Sequence, residues 1–305
     1  MNNSRRHFLK NSALTIAGTA LLPKTFFAAE ADSYLVGVQL YSVRDDMKKA
    51  PQQTLQALAK MGYKYVEHAD YVDRKFYGYS AEEFKKVLDG LGLKMRSGHT
   101  VMRKQHWDAA NNTFTPEWVH TVEDAATVGQ EYVISPWLDD EFRKSTDALK
   151  GFMEVFNKSG ELCKQHGMMF GYHNHDFEFS TVLDGKPMYD IILENTDPQL
   201  VIHQMDMGNM YGAGGRGLDY LKRYPGRFQS LHVKDEIKST KGEMKEPYES
   251  TVLGKGLINV KQVLDLAKKT GGTKHYIIEQ ESYQGKKPLD CVNEDLRIMK
   301  SWGYK

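Results

Sequence analysis

Cysteine and an excess of charge of either sign are what this sequence most clearly lacks. Only two of its 305 residues are cysteine, which excludes a disulfide framework and a cysteine-rich zinc site. Its 41 basic residues balance 40 acidic ones, so the basic excess of a nucleic-acid-binding protein is missing. Residues 41–50, which follow the apolar run Leu35–Leu40, contain no glycine. A nucleotide-binding sheet carries its glycine-rich phosphate loop after its first strand. Histidine and carboxylate side chains are the remaining candidates for holding a metal.

The first thirty-one residues have the layout of an export signal. Residues 4–10 read Ser-Arg-Arg-His-Phe-Leu-Lys, and an apolar run from Ala13 to Leu22 follows. That run is too short to cross a bilayer, no cysteine nearby could carry a lipid anchor, and Ala29 and Ala31 offer cleavage points. The alternative is a surface helix that carries two arginines by chance. We predict a twin-arginine signal peptide at 1–31, recognised by the twin-arginine export machinery, and a periplasmic mature protein at 32–305 without a membrane anchor.

The mature sequence alternates between short apolar runs and amphipathic segments with helical period. About 270 residues remain after cleavage, close to the roughly 250 residues of a (β/α)8 barrel. We therefore predict a single-domain (β/α)8 TIM barrel, with a doubly wound open sheet as the alternative. The eight candidate strands are Leu35–Leu40, Tyr63–Glu67, Lys94–His99, Tyr132–Ser135, Met168–His173, Leu200–Asp206, Phe228–Val233 and Tyr276–Glu279.

Imidazole and carboxylate groups follow most of these strands, at the end where a barrel forms its active site. A single histidine there is more often structural than a ligand. Such groups at four consecutive strand ends would repel one another and lose solvation unless a cation lay among them, which predicts a divalent metal. The imidazole, carboxylate and other polar side chains at these strand ends are those of Glu67, His68, His99, His173, Asn174, His175, Glu178, His203, Asp206, Asn209, His232, Lys234, Asp235, Glu279 and Glu281.

Strand periodicity narrows the choice of ligands, because residues i and i+2 point to the same side. An Asp, a His and a Glu from strands six, seven and eight form an oxygen and nitrogen shell that suits Mn, Co, Mg or Zn. The pairs on one side are Gln204 with Asp206, His232 with Lys234, and Glu279 with Glu281. For a fourth ligand, strand five offers His173, His175 and Glu178.

Five motifs in this order resemble the xylose-isomerase-like (sugar phosphate isomerase/epimerase) family of metal-dependent barrels. They are Tyr-His-Asn-His-Asp-Phe-Glu-Phe at 172–179, Asp-Met-Gly-Asn at 206–209, His-Val-Lys-Asp at 232–235, Leu-Gly-Lys-Gly at 253–256 and Ile-Glu-Gln-Glu at 278–281. The resemblance covers essentially the whole mature sequence. It implies one divalent ion held by residues from strands five to eight.

Carried over by position, the resemblance implies Asp206, His232 and Glu279 as metal ligands. Many relatives have a carboxylate at the position of His173, so either His173 or Glu178 fills the fourth place, and we favour Glu178. The remaining roles follow from that choice. Proton transfer is then assigned to His173, His175 and Lys234, and substrate binding to Glu67, His99, Asn209 and Glu281. Asn209 replaces a histidine found in many relatives, which removes one acid or base of the epimerase mechanism.

A divalent ion beside such bases supports enediolate chemistry on a carbohydrate, which can end in isomerisation, epimerisation or elimination. Phosphorylated sugars are cytoplasmic, so an exported enzyme is expected to use other substrates. Exported relatives resemble lyases that eliminate the aglycone from 3-keto-glycosides, and this is our leading hypothesis. The alternatives are an isomerase or epimerase acting on a free ketose, and a non-catalytic periplasmic sugar-binding barrel.

Overall fold

A computed structural model describes residues 34–240, 247–270 and 272–305. Within these ranges eight parallel strands form a closed barrel, each strand bonded to its neighbours in the sequence and the last bonded to the first. All eight predicted strands are confirmed, and the open-sheet alternative is wrong. The strands are β1 Leu35–Gln39, β2 Tyr65–His68, β3 Lys94–His99, β4 Tyr132–Ser135, β5 Met169–His173, β6 Val201–Asp206, β7 Phe228–Val233 and β8 His275–Ile278.

Two pairings in the barrel shift register just before residues of the site. The β2–β3 pairing shifts between Val66 and Glu67, and the β6–β7 pairing shifts between His203 and Gln204. A bulge of this kind bends a strand and redirects the side chains that follow it. The irregularities therefore lie where the strands turn Glu67 and Gln204 toward the barrel interior.

Helices surround the barrel, as the alternating pattern predicts. Ser80 and Glu83 form a reciprocal capping box at the start of the helix Ala81–Gly90. In the helix Val260–Thr270 the buried residues are 260, 263, 264 and 267, the spacing of one helix face. The last helix begins at Pro288. The main helices are α1 Pro51–Met61, α2 Ala81–Gly90, α3 Pro116–Val128, α4 Thr146–Gln165, α5 Met188–Asn195, α6 Gly217–Arg223, α7 Val260–Thr270 and α8 Pro288–Ser301.

Short elements crowd the end of the barrel at which the strands finish, which we call the mouth. Four two-stranded hairpins are Tyr71–Val72 with Lys75–Phe76, Trp107–Asp108 with Thr113–Phe114, Val182–Leu183 with Lys186–Pro187, and Asp235–Lys238 with Tyr248–Thr251. Short α-helices are Arg44–Lys49, Phe177–Ser180 and Met207–Gly212, and 3-10 turns are Leu40–Val43, Lys104–His106 and Asp140–Arg143. These elements wall the site.

The predicted export signal lies outside the described residues. Among the helices of the described chain, none is both long and apolar enough to cross a bilayer. Cys163 and Cys291 are both buried and unpaired, in agreement with the absence of a disulfide framework.

Candidate active site

The carboxylate of Asp206, at the end of β6, has two differently used oxygens. Oδ1 accepts hydrogen bonds from the backbone N–H groups of Gly208 and Asn209, both at 2.8 Å, and so caps the helix Met207–Gly212. Asn174 holds the Asp206 backbone through both of its own amide atoms. Oδ2 is buried and makes no hydrogen bond within the described chain. The strand-to-helix turn thus presents one fixed carboxylate oxygen to the mouth.

His232 of β7 lies between two carboxylates. Its Nδ1 is 2.9 Å from Glu279 Oε2 and its Nε2 is 2.6 Å from Glu67 Oε1. Asp206 Oδ2 lies 3.8 Å from the same Nδ1. Burial alone would lower the pKa of His232, but Glu279 and Glu67 raise it well above its usual value. One nitrogen therefore faces Asp206 and Glu279, while the other is fixed by Glu67.

Lys234 contributes the neighbouring positive charge. Its Nζ lies 3.3 Å from Asp206 Oδ2 and 3.2 Å from Glu279 Oε2, and it also pairs with Glu281. Asn209 Oδ1 is 3.4 Å from the same atom. A Cβ at Gly208 would come within 2.4 Å of the Lys234 stem, so glycine is needed there for this arrangement. Lys234 therefore lies between the carboxylates of Asp206 and Glu279.

Glu67 of β2 is fully buried and its carboxylate is saturated with donors. It accepts hydrogen bonds from Gln39 at 2.9 Å, from the Gln204 amide at 3.0 and 3.2 Å, and from Ser97. His99 and His232 complete its surroundings, and although burial would raise the pKa of Glu67, these two histidines hold it well below its usual value. Both oxygens of the Glu67 carboxylate thus accept hydrogen bonds from protein groups, and the substrate-binding role of Glu67 stays a prediction.

Gln204 orients two histidine rings from the base of the mouth. Its amide oxygen lies 2.6 Å from His99 Nε2 and 3.0 Å from His173 Nδ1, while its amide nitrogen donates to Glu67 and Ser230. An amide oxygen only accepts, so each of these two ring nitrogens carries a hydrogen. His173 therefore keeps its Nε2 lone pair free, and this atom is 3.9 Å from Asp206 Oδ2.

The side-chain chemistry fits a divalent metal ion. Among the described residues, two groups have ligand atoms within 4.8 Å of one another: Asp206 with His232 and Glu279, and His99 with His173 and His232. Burial would raise the pKa of Asp206 and of Glu279, yet Lys234 and His232 hold both below their usual values, so both are ionised. A buried Asp206 oxygen without a hydrogen bond, beside a second carboxylate and an imidazole, matches the ligands that Mn²⁺, Co²⁺, Mg²⁺ and Zn²⁺ use.

Glu178, the ligand favoured from the sequence, belongs to neither group. Its carboxylate accepts hydrogen bonds from the Tyr172 hydroxyl and from the His175 backbone N–H, the latter at 2.9 Å. Tyr172 and His173 are successive residues of β5, so their side chains leave opposite faces of the strand. Glu178 thus lies with Tyr172 behind the strand, where burial raises the pKa of Glu178 to about 8. We call the two groups of candidate ligands together the cluster. Of the two alternatives for the fourth ligand, His173 belongs to the cluster and Glu178 does not.

The other predicted site residues line the mouth. His175 packs its ring 5.1 Å from that of His173 and edge-on to Trp137, and burial lowers its pKa to about 4. Glu281 is fixed by a hydrogen bond of 2.7 Å from its N–H to Ser250. His203, which strand alternation directs outward, bonds Thr196 Oγ1 at 3.0 Å and is a structural histidine.

Sequence reasoning missed the uncharged residues that organise the cluster. Gln39, Ser97, Gln204 and Ser230 all contact one another or Glu67 inside the barrel. Only Gln204 gave a signal, because it precedes Asp206 by two residues and therefore shares its side of β6. The other three are short polar residues within apolar runs, and nothing local distinguishes them from ordinary strand residues.

The fold and site define a (β/α)8 barrel with a histidine and carboxylate centre at its mouth. A family model described as "Xylose isomerase-like TIM barrel" matches residues 55–302. The chain therefore belongs to the xylose isomerase-like TIM barrel family, and the resemblance noted in the sequence is confirmed.

Known relatives point to carbohydrate-processing barrels. An inosose dehydratase of Clostridium perfringens is 32% identical over 111 residues, which are 36% of this chain and 36% of that protein, so the match spans about a third of the relative. A sugar phosphate isomerase/epimerase of Parabacteroides distasonis has a similar structure, with a TM-score of 0.73 and 23% identity over 90% of this chain and 98% of that one. The IOLI protein with a bound zinc atom has a TM-score of 0.67 and 14% identity over 88% and 97% of the two chains.

Proposed function

We propose that this protein is a divalent-metal-dependent lyase that eliminates the C1 substituent from 3-keto-glycosides. The observation that carries the proposal is the buried group of Asp206, His232 and Glu279, in which one Asp206 oxygen has no hydrogen bond. The relative named inosose dehydratase supports elimination, because its name describes loss of water from a polyhydroxylated ring ketone. A 3-keto-glycoside is also a polyhydroxylated ring ketone, with a leaving group two carbons from the carbonyl.

Asp206, His232 and Glu279 would hold the ion, with His173 as the fourth ligand in place of Glu178. When bound, a divalent ion supplies a Lewis acid that polarises the sugar carbonyl and stabilises negative charge on its oxygen. In the metal-bound protein Glu67 would keep a proton on His232 Nε2, and Nδ1, which faces Asp206 and Glu279, would be the nitrogen that binds the ion. The similar IOLI structure contains a bound zinc atom, which supports the choice of a divalent ion.

His175 and Lys234 would carry the proton and charge changes. His175 is uncharged at neutral pH, because burial lowers its pKa to about 4, and its imidazole can accept the C2 proton. The electrons of the C2–H bond form the C1=C2 double bond, the C1–O bond breaks, and the leaving oxygen takes up a proton. Lys234, held as a cation by Asp206, Glu279 and Glu281, stabilises negative charge during the reaction. The products are the free aglycone and a 2-hydroxy-3-keto-glycal.

The proposal is tested by incubating metal-loaded protein with methyl 3-keto-glucoside, in both anomers, and following the products by NMR. We expect methanol and the 2-hydroxy-3-keto-glycal in equal amounts, and neither product with the chelated protein. Absence of both products, together with no release of the leaving group from 4-nitrophenyl 3-keto-glucoside or from a 3-keto-disaccharide, would overturn the proposal.

The choice of the fourth ligand has its own matched pair of variants. We expect His173→Ala to weaken metal binding, measured by calorimetry, by roughly tenfold or more. Glu178→Gln should retain the wild-type affinity, because the Glu178 carboxylate bonds Tyr172 and the His175 backbone. The reverse result would return Glu178 to the metal shell.

A sugar isomerase or epimerase acting on a free ketose is the second candidate. The similarity to the Parabacteroides distasonis isomerase/epimerase, over 90% of this chain, favours it. The two functions are distinguished in D₂O: an epimerase incorporates deuterium into an intact ketose, whereas a lyase fragments a 3-keto-glycoside.

Export to the periplasm is a separate proposal that follows from the Arg5-Arg6 pair and the apolar run behind it. Fractionation of cells should place the shortened chain in the periplasm. Replacement of both arginines by lysine should leave the full-length chain in the cytoplasm. The same location for both forms would contradict a twin-arginine route.

A further inference from the structure

A groove of about 620 Å³ opens beside the candidate active site, and no role has yet been given to it. It runs between the segments that follow β2 and β3 and reaches the first turns of α3. His99, whose Nε2 lies 3.2 Å from Glu67 and 2.6 Å from Gln204, forms part of its wall. The groove therefore begins at a residue of the cluster and leads outward from it.

The wall of this groove mixes polar and apolar residues, and both of its arginines are paired with carboxylates. Arg74 is bound to Asp124 by two hydrogen bonds of 2.7 and 3.0 Å, and Arg103 is bound to Asp139 at 2.7 Å. Asp70 and Asp73 also line it, and neither forms an ion pair within the described chain. A phosphate or carboxylate on the ligand would meet these acids, whereas both arginines of the wall already have carboxylate partners.

Hydrogen-bonding groups on the wall are nevertheless available. The side chains of Thr100 and Gln105 line the groove, and within the described residues neither makes a hydrogen bond to a protein group. Gln105 is exposed and Thr100 is half-buried. A hydroxyl and an amide supply both donors and acceptors, as an uncharged polyhydroxylated ligand requires.

A second groove of about 440 Å³ on the same rim has a different lining. Leu40, Tyr41, Met47 and Pro51 form its apolar side, and Arg44 and Lys48 also line it. No residue of the histidine and carboxylate cluster contributes to its wall, whereas His99 contributes to the larger groove. The two grooves share only the wall formed by Ala69 and Asp70.

We propose that the groove beside His99 is the leaving-group subsite and that it takes an uncharged, polyhydroxylated unit such as a second sugar ring. The substrate is then a 3-keto-glycoside whose C1 substituent is itself a sugar or polyol. This inference rests on the proposed lyase function and adds the class of its leaving group. The 3-keto ring lies at the cluster, and the second ring lies along Thr100 and Gln105.

The test compares three substrates on the metal-loaded full chain: a disaccharide with a 3-keto-glucosyl unit and glucose as leaving group, 4-nitrophenyl 3-keto-glucoside and methyl 3-keto-glucoside. Two variants of the groove beside His99, Thr100→Val and Gln105→Ala, are measured beside Tyr41→Ala from the second groove. The ratio of kcat/KM between variant and wild type is taken for each substrate, which cancels the intrinsic reactivity of each leaving group. Thermal melting and metal content show that each variant is folded and loaded.

Both groove variants should lower kcat/KM for the disaccharide roughly fivefold more than for the methyl glycoside, the effect of one hydrogen bond. Tyr41→Ala should show no such selectivity. A selective loss of kcat/KM for the 4-nitrophenyl substrate in Tyr41→Ala, with no selective loss in Thr100→Val or Gln105→Ala, would place the leaving group in the second groove and overturn the inference. If wild-type protein turns over none of the three substrates, the lyase function itself fails, whereas turnover with no selective loss in any variant overturns the subsite alone.

Discussion

Histidine and carboxylate pairs lie at both ends of the barrel, but their surroundings differ. At the end where the strands begin, His275 Nε2 bonds Glu131 at 3.1 Å, and Arg96 lies 3.2 Å from the other oxygen of that carboxylate. The Glu131 side chain is 45% exposed, so water and one arginine balance its charge. At the mouth, Glu67, Asp206 and Glu279 are at most 7% exposed and share Lys234 and His232 between them. Burial of several carboxylates together, rather than the pairing itself, distinguishes the mouth as the candidate cation site.

The largest expected effect comes from Asp206→Asn. Asparagine keeps the oxygen that caps the helix Met207–Gly212 but removes the charge of the carboxylate. Loss of a ligand charge should remove most bound metal after dialysis and lower turnover by roughly 10³-fold. The matched change at the other end, Glu131→Gln, should leave metal content and turnover near wild-type values. Equal losses in both variants would remove the distinction between the two ends.

A smaller effect is expected from Glu67→Gln, which retains the shape of a residue that contacts His232 without belonging to either group of candidate ligands. Metal affinity, measured by calorimetry, should fall about 10- to 100-fold because the neutral glutamine amide holds the His232 ring less strongly than the Glu67 carboxylate does. Nitrogen NMR of the His232 ring should also show a changed distribution of protons between Nδ1 and Nε2. An unchanged ring signal with unchanged affinity would return Glu67 to the substrate-binding role predicted from the sequence.

Removal of the metal should lower the melting temperature, because an ion that binds only the folded chain stabilises it. At a free metal concentration about 100 times the dissociation constant, the stabilisation is roughly 2.7 kcal/mol, or about 5 °C or more for a domain of this size. Addition of a chelator should produce this decrease in wild type and in Glu131→Gln. In Asp206→Asn the chelator should have little effect, and a full decrease there would show that the metal binds elsewhere.

The smallest effect on metal binding is expected from Glu178→Gln, which should instead change the pH dependence of stability. Burial raises the pKa of Glu178 to about 8, whereas in the unfolded chain it stays near its ordinary value of 4.5. The folded state favours the neutral acid, so its stabilisation is full below about pH 4.5 and is lost as pH rises to about 8. Melting temperatures across this range should decline less in Glu178→Gln than in wild type. Parallel curves would indicate that Glu178 is ionised when folded.

The sequence predicts the barrel well because its evidence is local. Each strand is a short apolar run between helical segments, so the bounds at Lys94–His99 and Phe228–Val233 match the structure residue for residue. The Asp206, His232 and Glu279 grouping follows from strand periodicity and the order of the strands. The position of Glu178 does not follow from periodicity, because it depends on the turn after β5 that brings its carboxylate to the Tyr172 hydroxyl. Glu67 likewise depends on contacts across the barrel, which no local pattern encodes.

Barrel closure has a consequence for when the centre can exist during synthesis. Leu35 pairs with His275, so the first and last strands of the described chain must meet before the ring is complete. Glu67 belongs to the second strand, His232 to the seventh, and Glu279 follows the eighth. A growing chain thus carries Glu67 long before the ribosome has added the partners of that carboxylate. The cluster of these residues is therefore assembled only after the last strand has been synthesised, and a fragment that ends before that strand lacks it.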